Sequence, residues 1–200
     1  MKRLYVESNF VLELVFAQED REHCETLLDG AESGTFELAI PSYCLGEPLE
    51  TLGRRHSDRR RVQNALQQEV RQLRRVTEYR TDLDDVDLTV NLFARSATED
   101  LDRLQKYYRR IIRAATLVAL AAEVVERGLE LRDTFDLELQ DAFVLASVAS
   151  DLDFRPTESW FVTRNTKDFD DPGVRTYLDE RRCRLLTSFG EAVGAAVHGG

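Results

Sequence analysis

The residues of this chain best suited to chemistry are acidic, and they recur where short apolar runs end. Leu4-Tyr5-Val6 stops at Glu7-Ser8-Asn9. Trp160-Phe161-Val162 stops at Thr163-Arg164-Asn165, with Asp168 shortly after. Glu47 follows the run Phe36-Glu37-Leu38-Ala39-Ile40 by about a turn, and Asp141 opens the apolar stretch Asp141-Ala142-Phe143-Val144-Leu145-Ala146. In an open parallel sheet, ligands bind at the carboxyl ends of the strands. Carboxylates gathered there are hard oxygen donors that favour Mg²⁺ or Mn²⁺. One or two such ions can activate water and stabilise the leaving oxygen of a phosphodiester. Without a cation the carboxylates repel one another, so some should titrate above the ordinary range. Asp141 stands out because a charge on the buried end of an apolar helix is costly unless paired or bound to metal. The helix N-terminus would favour its anionic form.

Plainer roles compete for several of these side chains. Glu13, Glu50, Asp170 and Asp171 read as surface charges, caps or ion-pair partners. Glu50 shares a helix face with Glu47, and the pattern favours Glu47 as the ligand. Asp168 suits a helix cap nearly as well as a metal site, and Thr163 and Asn165 suit a turn. Cys44 lies near Glu47, but no histidine is close in sequence to activate it. Cys24, Cys44 and Cys183 are odd in number and scattered, which fits buried thiols rather than a disulfide framework.

The elements that must position the acids alternate between strand and helix. Leu4–Val6 and Phe36–Ile40 are predicted strands, with Pro41 stopping the second. Between them lie helices over Phe10–Ala17 and around Cys24–Leu28, closing at Gly30 and Gly34. Tyr43 to Leu52 reads as a helix that starts or kinks near Pro48. Ser57 is a plausible N-cap for a next helix carrying Val62, Leu66, Val70 and Leu73. Further helices are predicted over Val86–Ala97 and from Leu101 or Leu104 to Gly128. This central section shows no strand signal. Leu139–Leu152 is an apolar helix, Phe161-Val162 and Arg184-Leu185-Leu186 are strands, and Ser188 with Glu191 fits a capping box for a last helix. His198-Gly199-Gly200 reads as a frayed tail. Strands separated by helices imply parallel crossovers. The predicted architecture is one α/β domain over residues 1–200, a sandwich with a central parallel sheet and a helical insertion at about 56–130.

Composition narrows the setting. The apolar fraction of 42% supports a real core, and no run approaches the ~18 residues of a membrane span. Met1-Lys2-Arg3 leads straight into a strand without a signal-peptide pattern, so a soluble, cytoplasmic protein is expected. The net charge of −10 argues against a nucleic-acid partner, but the charge is segregated. Residues 54–113 hold 15 Lys/Arg against 10 Asp/Glu, on a body that is otherwise strongly acidic. Such a region suits a phosphate backbone gripped on one face. Arg54, Arg55, Arg59 and Arg60 are the candidate contacts, with a solvated helix surface the better reading for any single one. Tyr107-Tyr108 among Lys106, Arg109, Arg110 and Arg113 would suit stacking on single-stranded RNA, though packing within the insertion is favoured.

The order Glu7-Ser8-Asn9, then Glu47, then Asp141-Ala142, then Val162-Thr163-Arg164-Asn165-Thr166-Lys167-Asp168-Phe169 resembles a PIN domain. That nuclease fold is shared by toxins of bacterial toxin–antitoxin pairs and by RNA-processing enzymes. The likeness covers about residues 3–52 and 137–190, and the last motif is the most specific. The resemblance implies a PIN-like three-layer α/β/α sandwich and a Mg²⁺- or Mn²⁺-dependent ribonuclease using water as nucleophile. It makes Glu7, Glu47 and Asp141 the core ligands, gives Asn165 the fourth place and lets Asp168 complete the edge as a further metal ligand. Ser8 would position Glu7, water or phosphate, and Arg164 would join the substrate contacts. Partners implied are an RNA substrate and an antitoxin-like protein, while the long amphipathic helices suit a homodimer. Two departures stand out: Glu7 and Asn165 each replace a usual Asp. They motivate the main alternative, a non-catalytic PIN-like module that binds RNA or protein. A phosphatase or phosphotransfer domain ranks last, since it needs a nucleophilic Asp where Glu7 stands.

Overall fold

A computed structural model describes residues 2–79 and 83–196. Its centre is a sheet of five parallel strands: β1 (Arg3–Val6), β2 (Glu37–Pro41), β3 (Ala115–Val118), β4 (Ser159–Val162) and β5 (Cys183–Leu186). Their order is β3-β2-β1-β4-β5. Leu4, Tyr5, Val6, Ala39, Ile40, Phe161 and Val162 are fully buried, the near-continuous apolar pattern of strands covered on both faces.

The helices are α1 (Ser8–Phe16), α2 (Arg21–Glu32), α3 (Glu47–Leu73), α4 (Asp84–Ala114), α5 (Ala122–Phe135), α6 (Leu139–Phe154), α7 (Thr166–Phe169), α8 (Pro172–Asp179) and α9 (Phe189–Ala196). Helices α1 to α4 pack with one another and α9 joins them against α2, whereas α5 packs on α6. Phe135 of α5 meets Tyr177 of α8 edge to face. Right-handed crossovers place these two groups on opposite faces of the sheet, giving an α/β/α sandwich. Among the described residues no helix is long and apolar enough to cross a membrane.

Strand order reverses beside β1: the chain winds outward through β2 and β3, then returns to β4 on the other side. The crevice at the carboxyl ends of β1 and β4 is therefore the topological switch point, where such sheets bind ligands. Pairing of Tyr5 with Phe161 and of Val6 with Val162 brings Glu7 and Thr163 side by side there.

Three expectations for the central section are corrected. A strand does occur in it: β3 pairs with β2, Ile40 beside Leu117 and Pro41 beside Val118. Ala114-Ala115-Thr116-Leu117-Val118 is too short and too rich in alanine to separate from helix by periodicity. Ser57 caps nothing, because α3 runs unbroken from Glu47 to Leu73 with Pro48 in its first turn. Likewise α4 is one helix of 31 residues. The tail at 198–200 lies outside the described residues.

Helices α3 and α4 pack together as a hairpin, and Val70 of α3 with Val90, Asp100, Leu104, Tyr107 and Ile111 of α4 are all buried. Asp100 is the charged exception. Its carboxylate accepts from Arg59 at 2.6 Å and Arg103 at 2.5 Å. Arg103 Nε also donates to the Val15 carbonyl at 2.8 Å, tying the hairpin to the end of α1. Tyr107 donates to Glu25, and Tyr108 to the Leu45 carbonyl. Both tyrosines thus pack the hairpin onto the body.

At the amino end of β1, Arg3 is completely buried. It pairs with Asp151 at 3.1 Å and Glu37 at 3.3 Å, and Tyr5 donates to the same Asp151 at 2.6 Å. Burial is the main cause that pushes the Tyr5 hydroxyl far above its usual range, followed by its bond to Asp151.

Candidate functional site

Glu7 leaves β1 in extended conformation and becomes the N-cap of α1. The residue is buried, 5% exposed, and its carboxylate accepts four hydrogen bonds. Ser8 Oγ (3.1 Å) and the Asn9 amide N–H (3.2 Å) donate to Oε2. Asn9 Nδ2 (2.7 Å) and Thr163 Oγ1 (2.9 Å) donate to Oε1. Two acceptor sites per oxygen are thereby filled. Thr163 Oγ1 accepts in turn from the Asn165 backbone N–H at 2.9 Å, so one chain of bonds stitches β1 to the loop after β4.

Glu47 opens α3, and Asp141 lies in the first turn of α6. With Glu7, Asn165 and Arg164 they line one open cleft of about 480 Å³. A neighbouring cleft of about 240 Å³ shares Ser8, Glu47, Gln140 and Asp141, and adds Tyr43, Glu50 and Arg54. Glu50 therefore faces the second cleft, while Glu47 belongs to both.

The electrostatics converge on Asp141. Burial pushes its carboxyl up to about 6, and the negative charges of Asp168, Glu7 and Glu47 add to the shift, against a lowering bond from the Asn165 amide. Asp168 is thus an electrostatic neighbour of Asp141 from the short helix α7. Burial raises Glu13 as well, opposed by Arg164, and Glu13 accepts from the Asp20 N–H at 2.9 Å. The buried Cys44 thiol is pushed up by burial and then by Glu7, which disfavours a nucleophilic thiolate.

In kind, these oxygen donors fit a hard divalent cation: they are carboxylates in excess, and like charge already perturbs one of them. Their placement is open, however. Among the described residues no three His, Cys, Asp or Glu side chains stand together closely enough to hold an ion.

The five predicted basic contacts separate. Arg54 lines the smaller cleft. Arg55 stacks on Phe16 with its Cζ 3.9 Å from the ring centroid. Arg59 is spent on Asp100, Arg60 is exposed on α3, and Arg164 is paired with Asp20 at the rim of the larger cleft. Three participants carried no role in the sequence reading. Asn9 gives two of the four bonds to Glu7, and its place in the Glu7-Ser8-Asn9 run was a signal. Gln140 and Tyr43 line the smaller cleft, and nothing in their spacing marks them.

A family model described as PIN domain matches residues 4–169. No curated protein and no solved structure matches the chain. The matched segment opens in β1 and ends on Phe169, one residue past Asp168, so every acidic position of the switch-point crevice falls inside it: the chain belongs to the PIN domain family.

Proposed function

We propose that the protein is a metal-dependent endoribonuclease that hydrolyses RNA phosphodiester bonds in this crevice. PIN domains are generally nucleases, and the observation that carries the reading is Asp141, whose carboxyl is raised to about 6 by burial and by Asp168, Glu7 and Glu47. Excess negative charge at a strand-end crevice is what a divalent cation would neutralise, and the bound cation would then let an anionic phosphate approach. Glu47, Asp141 and Asp168 would hold Mg²⁺ or Mn²⁺, and Glu7 would join them by yielding one of its four hydrogen bonds. When bound, the ion supplies charge neutralisation for the phosphate and acidity for the attacking water. The chain's own residues set the geometry: Asn165 orients the Asp141 carboxylate, and Ser8, Asn9 and Thr163 fix Glu7. Arg54, which lines the smaller cleft, and Arg164, which lines the larger and would have to share its charge with Asp20, would meet flanking phosphates.

The test is cleavage of structured and single-stranded RNAs with Mn²⁺, Mg²⁺ or EDTA, comparing wild type with Asp141→Ala. The expected result is cleavage that needs metal and disappears in the variant. Activity that survives in Asp141→Ala would defeat the proposal. A second reading, a PIN domain that binds RNA or protein without cutting it, is favoured by the saturation of Glu7 and the open placement of the acids. It predicts binding that is indifferent to Asp141→Ala.

A further inference from the structure

The smaller cleft has a wall that the carboxylates do not require. Tyr43, in the turn between β2 and α3, is 36% exposed. It meets Phe143 of α6 edge to face, with centroids 5.9 Å apart and planes at 83°. Phe143 is itself seated by the absence of a side chain at Gly128 of α5: a Cβ there would lie 2.4 Å from Phe143 Cδ1. Gly128, Phe143 and Tyr43 thus form a buttress that holds an aromatic ring in the lining shared with Glu47 and Asp141. Glu50 and Arg54 of α3 line the same cleft. Among the described residues, no hydrogen bond or ion pair engages the Glu50 carboxylate. Arg54 spends one donor on a long bond to Thr51 Oγ1, 3.4 Å, leaving others for a phosphate.

From this geometry we infer that the cleft is a nucleobase subsite, with Tyr43 as stacking platform and Glu50 as the group that selects guanine. An unpaired base stacks on an aromatic face and is read along its Watson–Crick edge. A carboxylate offers two acceptors side by side. Guanine alone among the four bases presents two adjacent donors there, N1–H and the N2 amino group. Uracil offers one N–H flanked by two carbonyl oxygens that the carboxylate repels, and adenine and cytosine each offer one amino group beside an acceptor. Arg54, a turn further along α3, would meet the phosphate of the seated nucleotide. The inference rests on the crevice being RNA-facing, and it adds which nucleotide sits beside the scissile bond.

The experiment has two readouts on short single-stranded RNAs that vary one position through all four bases. Cleavage sites are mapped with Mn²⁺ for wild type, Glu50→Gln, Tyr43→Ala and Tyr43→Phe. Equilibrium binding is measured by fluorescence anisotropy with Mg²⁺, on the Asp141→Asn background with and without the same changes. The expected preference for guanine is about tenfold, the scale of one bidentate base contact. Glu50→Gln should reduce it to about twofold while sparing the other bases. Tyr43→Ala should weaken all bases about tenfold, and Tyr43→Phe should restore them. Equal treatment of the four bases by wild type, or a guanine preference untouched in Glu50→Gln, overturns the inference even if the enzyme cuts. Guanine-selective binding without cleavage upholds the subsite and removes the nuclease. No RNA binding at all overturns both.

Discussion

Neutralising Asp141 should stabilise this protein while removing its proposed activity. In the folded chain its carboxyl sits at about 6 rather than 3.8, because it is desolvated and faces Asp168, Glu7 and Glu47. Taken at face value, a shift of that size is worth about 3 kcal/mol. Asp141 is only partly covered, so solvent screening reduces this to about 1–2 kcal/mol. The direction follows from linkage: the folded state holds the proton more tightly than the unfolded state. The stability this group contributes is fully present below about pH 3.8 and is lost as pH rises through about 6. Asparagine has the shape of the protonated acid and never ionises. Asp141→Asn should therefore exceed wild type by about 1–2 kcal/mol at pH 7.5, about 3–6 °C in Tm for a chain of this length. The gap should close as pH falls from about 6 toward 4. Urea and thermal unfolding of both proteins, in EDTA across that range, measure it. A variant less stable than wild type at pH 7.5, or a gap that does not change with pH, would refute the reasoning.

Four further outcomes follow from other contacts. Mg²⁺ or Mn²⁺ should raise the Tm of wild type at pH 7.5 more than that of Asp141→Asn, since the variant lacks one of the carboxylates that would hold the ion; equal shifts would place the ion elsewhere. Thr163→Val removes a donor to Glu7 and the acceptor of the Asn165 N–H, and urea unfolding should show a loss of about 1–3 kcal/mol. Asp100→Ala strands Arg59 and Arg103 in the hairpin seam and should cost about 2–4 kcal/mol, seen as a lower urea midpoint. Ala17 ends α1 in the left-handed region at φ 51°, so Ala17→Gly should gain about 0.5 kcal/mol by thermal melting, relief of strain outweighing backbone entropy.

The strands that carry the acids were legible because each is a short apolar run broken by polar residues. Leu4–Val6 and Trp160–Val162 could hardly be anything but buried parallel strands, and the polar residues after them had to reach the carboxyl edge. Strand β3 was hidden because Ala115 and Thr116 continue a helical pattern and only pairing with Leu38 and Ala39 fixes them as strand. Ser57 looked like a helix start because capping chemistry is local, whereas α3 is held to Leu73 by its packing on α4. The arginines misled for a related reason. Their number in 54–113 is real, but Arg59, Arg103 and Arg110 are bound by Asp100, Glu32 and Asp29, and such pairings have no signature in a one-dimensional count of charge.

Glu7 shows how the fold and the crevice depend on the same atoms. A short acid caps a helix directly, whereas glutamate must bend its longer arm back, and here it reaches the Asn9 N–H at 3.2 Å. The bend brings Oε1 within 2.9 Å of Thr163 Oγ1 on the neighbouring strand, across the point where strand order reverses. Glu7 thus bridges β1 and the end of β4. Its charge still acts on Asp141, which is one cause of the raised carboxyl. Its lone pairs, though, are committed to Ser8, Asn9 and Thr163. On the proposed function, a cation would be met by Glu47 and Asp141 with Asp168 nearby, and engaging Glu7 would cost one of its four hydrogen bonds, of which the bond from Thr163 also ties β1 to the end of β4.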